Sequence, residues 1–204
     1  MKEVTCVLCG VSPASTGQGD HIPPKSLYTK SERCSAKYPF HTVPACIQCN
    51  TDGSKHDEAL KVLIGIEREG GTDVIDALAK TVGNNQRIAD QIFNTAKRST
   101  EGRTTEVKIT FDADSYRKSI SRIARAMYWR MTEEILPSSA NIAAHSIEEI
   151  DRDAAQNLCA IFEQQPSTEI NGGTFICKLM QDTESCILIM NFFGCHTAVA
   201  LIDL

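Results

Sequence analysis

Two Cys-x2-Cys pairs, Cys6/Cys9 and Cys46/Cys49, bracket a stretch that carries Asp20-His21 and His41, and Asn50 follows the second pair directly. A pair at this spacing lets two thiolates grip one tetrahedral ion from a single tight turn. Two such pairs complete a closed four-cysteine zinc site with no open position for water, which makes the ion structural. A chance or redox pairing is disfavoured, because neither pair sits in a thioredoxin-like strand-helix setting. The residues between the pairs have a different chemistry. A histidine of ordinary pKa, about 6.5, can act as general base at neutral pH, and this role falls to His21. Asp20 and Asn50 offer hard oxygen ligands suited to Mg2+ or Mn2+. Taken singly, a histidine in a proline-rich loop is more often a surface or capping residue. The weight comes from Asp20, His21, His41 and Asn50 standing in register with both cysteine pairs.

The run Asp20-His21-Ile22-Pro23-Pro24-Lys25, with His41-Thr42-Val43-Pro44-Ala45-Cys46-Ile47-Gln48-Cys49-Asn50, resembles the HNH endonucleases of the His-Me finger class. Their pattern is an Asp-His ending a strand, a second His or Asn, and a third Asn or His on the following helix. Its three stations fall here at His21, His41 and Asn50. Within that class the chain is similar to a bacterial group that adds a Ser-Lys-x-Asp/Glu stretch, here Ser54-Lys55-His56-Asp57-Glu58. The motifs end near residue 60, about a third of the chain.

The resemblance implies a small zinc-stapled ββα-metal domain of treble-clef-like form that hydrolyses phosphodiester bonds of nucleic acid, DNA ahead of RNA. His21 would be the general base, Asp20 and Asn50 the ligands of a catalytic Mg2+ or Mn2+, and His41 a residue that orients His21 or its loop. Cys6, Cys9, Cys46 and Cys49 would hold the structural zinc, with Lys25 and Lys55 as substrate phosphate contacts. The rival is a non-catalytic zinc-binding treble-clef module that recognises nucleic acid or protein. Defence against phage or plasmid DNA is an association such domains carry, and nothing in the residues shows it.

The chain of 204 residues is 42% hydrophobic and 23% charged, enough apolar content for a real core. Its net charge of -5 speaks against a protein that holds nucleic acid by diffuse electrostatics. Local basic clusters offset this: Lys25, Lys30, Arg33 and Lys37 in one loop, and Arg117, Lys118, Arg122, Arg125 and Arg130 on one expected helix. That helix reads first as amphipathic, with a solvated basic face and packed Tyr128 and Trp129, and second as a phosphate track. No apolar run approaches the roughly 20 residues that span a bilayer, and the N-terminus lacks a signal-like stretch, so a cytoplasmic protein without a membrane partner is expected. Cys159, Cys177, Cys186 and Cys195 read as small core residues, Cys34 as a lone loop cysteine, and His145 and His196 as structural.

The elements that must position these residues give an α+β chain. Residues 1–69 form the nuclease-like zinc domain. Residues 70–204 form a helical region plus a C-terminal antiparallel sheet, an accessory or regulatory part for self-association, a regulatory partner or control. Apolar periodicity predicts helices over 54–69, over 72–82 with Thr72 as cap, over a long segment capped by Asp114 or Ser115 and ending before Pro137, and over 146–162 from a capping box at Ser146. Residues 84–104 read as a polar helix and linker. Val107–Phe111 alternates as a strand, and Thr174–Met180, Cys186–Phe193 and His196–Ile202 read as an antiparallel meander.

Overall fold

The computed structural model describes residues 4–11, 13–15, 19–68, 71–95, 97–101, 104–108 and 112–204. β1 (Gly19–His21) and β2 (Thr42–Pro44) pair antiparallel, with Asp20 opposite Val43 and His21 opposite Thr42. Between them lie a 3-10 turn at Lys25–Leu27 and α1 (Lys30–Arg33). Thr29 and Glu32 start α1 as a reciprocal capping box. α2 (Ile47–Glu67) starts well ahead of Ser54, because the Cys46 sulfur accepts from the Cys49 amide and caps the helix at the second cysteine pair. Its buried residues Gly53, Asp57, Leu60 and Ile64 share one face.

α3 (Thr72–Asn84) and α4 (Gln86–Thr95) follow, and β3 (Lys97–Glu101) pairs with β4 (Thr104–Lys108). Gly71, not Thr72, is the N-cap of α3, so Thr72 is already helical. The polar stretch expected to end as a linker instead enters a hairpin. Of the strand expected at 107–111, Val107 and Lys108 lie in β4, and residues 109–111 lie outside the described residues.

α5 (Ala113–Thr132) is the central helix. Asp112 caps it by accepting from the Ser115 amide at 3.0 Å, two residues ahead of Asp114 and three ahead of Ser115, the expected caps. Beyond it come β5 (Ile142–Ser146), α6 (Arg152–Glu163), β6 (Ser167–Ile170), β7 (Phe175–Gln181), β8 (Ser185–Phe192) and β9 (His196–Asp203). They form a five-stranded antiparallel sheet in the order β5-β9-β8-β7-β6. β7 to β9 are the expected meander, while β5 and β6 add both edges. Ser146 caps only the 3-10 turn Ile147–Glu149. Asp151, which accepts from the Asp153 and Ala154 amides, then starts α6.

Alternate residues of β8 (Cys186, Leu188, Met190 and Phe192) are buried, and α5 lies against α2 and the sheet strands β5, β7 and β9. One continuous cluster of buried side chains runs from Cys6 and Ile22 through Leu60, Ile120 and Met127 to Phe175 and Ile202, so the N-terminal third, which carries the paired cysteines, and the sheet share a core. Each of its large side chains contributes roughly 1.5–3 kcal/mol. Polar ties cross the same junction. The His196 ring is buried between Glu67, 2.9 Å from Nδ1, and the Tyr116 hydroxyl, 2.9 Å from Nε2. The Tyr28 hydroxyl meets Thr174 Oγ1 at 2.8 Å and receives the Asn171 amide at 2.9 Å.

Candidate zinc centre and the Asp20–His21 site

The N-terminal turn folds Cys6 and Cys9 towards the start of α2, with the Gly10 amide donating to the Cys6 carbonyl and the Val7 amide to Pro44. Cys46 caps α2 and Cys49 lies in its first turn. The four sulfurs lie within 4.8 Å of one another. Zinc–sulfur bonds of about 2.3 Å in a tetrahedron need sulfurs about 3.8 Å apart, so the cluster fits a structural zinc with little adjustment. No disulfide joins any of the cysteines. Four thiolates on one Zn2+ leave a net charge of about -2, and Arg125 of α5 stands close to Cys9 and Cys49. Its guanidinium also donates to the carbonyls of Pro137 at 3.0 Å and Ala140 at 3.1 Å. Arg125 thus ties the loop after α5 to the cysteine cluster.

Alternation along β1 sends Asp20 and His21 to opposite faces. His21 is half-buried, with its ring edge-on to Phe40 at 6.3 Å, and Lys25 Nζ lies 5.0 Å over the same phenyl ring. Burial, helped by the Lys25 charge and opposed by Asp20, pushes the His21 pKa down, so the imidazole is neutral at pH 7 and able to accept a proton. His41 directly precedes β2, and its carbonyl accepts from the Ile22 amide at 3.1 Å. Burial and then Arg130 lower its pKa as well. Asn50 sits in the first turn of α2, half-buried. Lys55 is on the surface, paired with Asp52 at 2.8 Å. His56 is partly buried, with Nδ1 3.2 Å from the Ser115 hydroxyl.

Asp20 faces inward and is 6% exposed. Its Oδ2 accepts from Nη1 of Arg122, whose Nη2 donates to Oδ1 of Asp57, and the Ser119 hydroxyl donates to the same Asp57 oxygen at 3.0 Å. β1, α2 and α5 therefore meet at one guanidinium shared by two buried carboxylates. Burial holds the Asp57 pKa above the usual carboxylate range, and the like charge of Asp20 adds to the rise. Arg122 stays charged, since the two carboxylates outweigh the burial that opposes its ionisation. The sequence carried a signal for this triad. Asp57 falls on the inward stripe of α2 with Leu60 and Ile64, and Ser115, Ser119 and Arg122 share one stripe of α5.

The basic helix is thus not a uniformly solvated face, because Arg122 and Arg125 are committed inward while Arg117 and Lys118 are exposed. Tyr128 is 3% exposed and cannot stack on a base. Between the start of α2 and α5 a cleft of about 550 Å³ is lined by Cys49, Gly53, His56, Arg117, Lys118 and Arg122 among others. Gly53 makes room for the guanidinium, since a Cβ there would lie 2.6 Å from Arg122 Cζ and Nε. The Gly53→Ala substitution should therefore cost about 1–3 kcal/mol by overpacking, despite the roughly 1 kcal/mol that alanine gains in a helix. A urea melt checks this; a neutral or stabilising result would mean that the guanidinium is not fixed.

Among the described residues, the four cysteines are the group of at least three His, Cys, Asp or Glu side chains whose ligand atoms converge. Comparison of the chain with protein-family models, curated proteins and solved structures finds no match. What fold and site define is an α+β protein with an N-terminal four-cysteine cluster fit for zinc and a C-terminal five-stranded antiparallel sheet. None of its described helices is long and apolar enough to cross a membrane.

Proposed function

We propose that the chain is an HNH-type endonuclease, a phosphodiester hydrolase acting on nucleic acid, DNA ahead of RNA, with His21 as its general base. The observation that carries this reading is the order of elements around the cysteine cluster. β1 ends in Asp20-His21, β2 follows His41, and α2 begins at Cys46 with Asn50 in its first turn. This is the hairpin-then-helix order of a ββα-metal, treble-clef-like unit. The neutral imidazole of His21 takes a proton from water as the water oxygen bonds to phosphorus. The phosphorus–oxygen bond to one sugar then breaks, and the departing alkoxide is protonated by solvent. Lys25 and Lys55 supply positive charge for the phosphate in this reading, and the His41 carbonyl, which accepts from the Ile22 amide, ties the end of β1 to the start of β2. The helices and sheet beyond residue 70 serve control, self-association or partner binding in a cytoplasmic protein.

The reading includes a Mg2+ or Mn2+ at Asp20 and Asn50. As folded, Asp20 presents its carboxylate to Arg122, and the donor set does not fit the ion. This ion pair favours the second reading, a zinc module that binds nucleic acid or protein without cutting it.

The pH dependence of cleavage separates the two. Because the His21 pKa is lowered, the base form persists as pH falls through about 6.5, and the rate should decline only below that value. Nicking of supercoiled plasmid and cutting of labelled RNA, followed between about pH 5 and 8 with Mg2+ or Mn2+, read this directly. An acid limb centred above the ordinary histidine pKa would exclude His21 as the base, and binding without cutting at every pH would favour the module.

A further inference from the structure

The loop after β1 carries Lys30 and Arg33, and the fold brings them to one cleft with Lys61 of α2 and Lys80 of α3. These four cations line a space of about 750 Å³ between α1, α2 and α3. Lys61 is the half-buried member, and its ammonium donates to the Thr81 hydroxyl. That hydroxyl gives its own hydrogen to the Ala77 carbonyl at 2.8 Å, so towards Lys61 it only accepts, and it holds the ammonium in place. Arg33 is fixed as well, with Nε donating to the Tyr28 carbonyl at 2.8 Å and Nη2 to that of Ser26 at 3.3 Å.

Among the described residues, none of the four cations has an ion-pair partner. Two carboxylates share the lining, Asp73 and Asp76, and the Ser31 hydroxyl donates to Asp73 at 2.8 Å. Around Lys61 the positive charges prevail. Burial and the Arg33 charge push its pKa down, Glu58 opposes, and Lys80 adds to the fall. An amine held among like charges and partly stripped of water is a group that a bound anion stabilises. We infer that this cleft is a phosphate-binding site: Lys61 and Arg33 hold the oxygens of a phosphate group, and Lys30 and Lys80 add charge beside them. The volume admits a nucleotide-sized body along with the phosphate. A small phosphorylated molecule and a nucleic-acid backbone present the same oxygens to these cations. The lining includes neither His21 nor the paired cysteines, so loss of this site leaves the nuclease reading as it stands.

The test is calorimetric titration of inorganic pyrophosphate into the full, zinc-loaded chain at low salt without added divalent ion, beside anisotropy of a fluorescein-labelled DNA duplex. Wild type is compared with Lys61→Met, which keeps the apolar stem and removes the charge, and with Asp76→Asn, a change at an exposed position of α3. Saturable pyrophosphate binding is expected, weakened about tenfold or more by Lys61→Met. Asp76→Asn should act with the opposite sign and tighten binding about two- to fivefold. Pyrophosphate that displaces the DNA, with the same dependence on Lys61, assigns the phosphate to a nucleic-acid backbone. Pyrophosphate that binds while the duplex does not, or binds without displacing it, assigns it to a small phosphorylated ligand. No saturable pyrophosphate binding by folded wild type, or unchanged affinity in folded Lys61→Met, would overturn the site. Binding by Asp76→Asn that is no tighter than wild type would overturn it too, and this comparison decides the matter even where Lys61→Met does not fold.

Discussion

Removing zinc, or replacing Cys49 with serine, should unfold the segment from Cys6 to the start of α2 and lower the melting temperature of the whole chain. Structural zinc sites contribute on the order of 10 kcal/mol, comparable with the entire stability of an ordinary domain. Among the described residues the segment has little regular structure of its own: β1 and β2 are three residues each, and the turn at Cys6–Gly10 meets β2 through the Val7 amide and the Pro44 carbonyl. The loss spreads because Cys6, Val7, Leu8 and Ile22 belong to the same buried cluster as Ile120, Met127 and Phe175. Chelator titration with a chromogenic zinc indicator should release one zinc per chain, with helical signal falling in step. A melt unchanged by full zinc removal would mean that the cysteine cluster does not hold the fold.

The Arg122→Ala variant should show the second large effect, a loss of about 3–5 kcal/mol, because it strands two buried carboxylates without their cation. The loss should depend on pH. Burial already holds the Asp57 pKa above its unfolded value, and without the guanidinium it rises further. A carboxylate with a raised folded pKa favours folding in its protonated form, and stability is lost as pH rises through the folded pKa. The deficit relative to wild type should therefore be greatest near neutral pH and shrink towards about pH 4. Parallel urea melts at the two pH values check the sign; an equal deficit at both would point to lost packing alone.

The readable parts of the sequence were those whose signal is local. A Cys-x2-Cys pair announces its chemistry within four residues, and the apolar period of α5 from Ile120 to Met127 is set by one helix face. The meander was marked by alternation broken at Asp182 and Gly194. Three kinds of feature were harder. Cys46 starts α2 with a sulfur cap that no capping preference flags, so the periodicity at Leu60 and Leu63 placed the helix start too late. β5 is made of Ile142, Ala143, Ala144, His145 and Ser146, poor in strand formers, and becomes a strand because the edge of β9 pairs with it. The Asp20–Arg122–Asp57 triad joins residues far apart in the chain, and ion pairs of that kind leave no spacing pattern. Only a charge on an apolar stripe betrays them, at Asp57 and at Arg122. The same non-local packing joins the residues on either side of position 70 in a core that runs continuously from the cysteine turn to the sheet.

The most direct measurement is nicking of supercoiled plasmid by zinc-loaded wild type supplied with Mg2+ or Mn2+, beside His21→Ala, with bound zinc quantified in both. The account predicts nicking by wild type and a loss of about 100-fold or more on His21→Ala while zinc stays bound. Nicking that survives His21→Ala, or no cleavage by folded, zinc-loaded wild type, would contradict it.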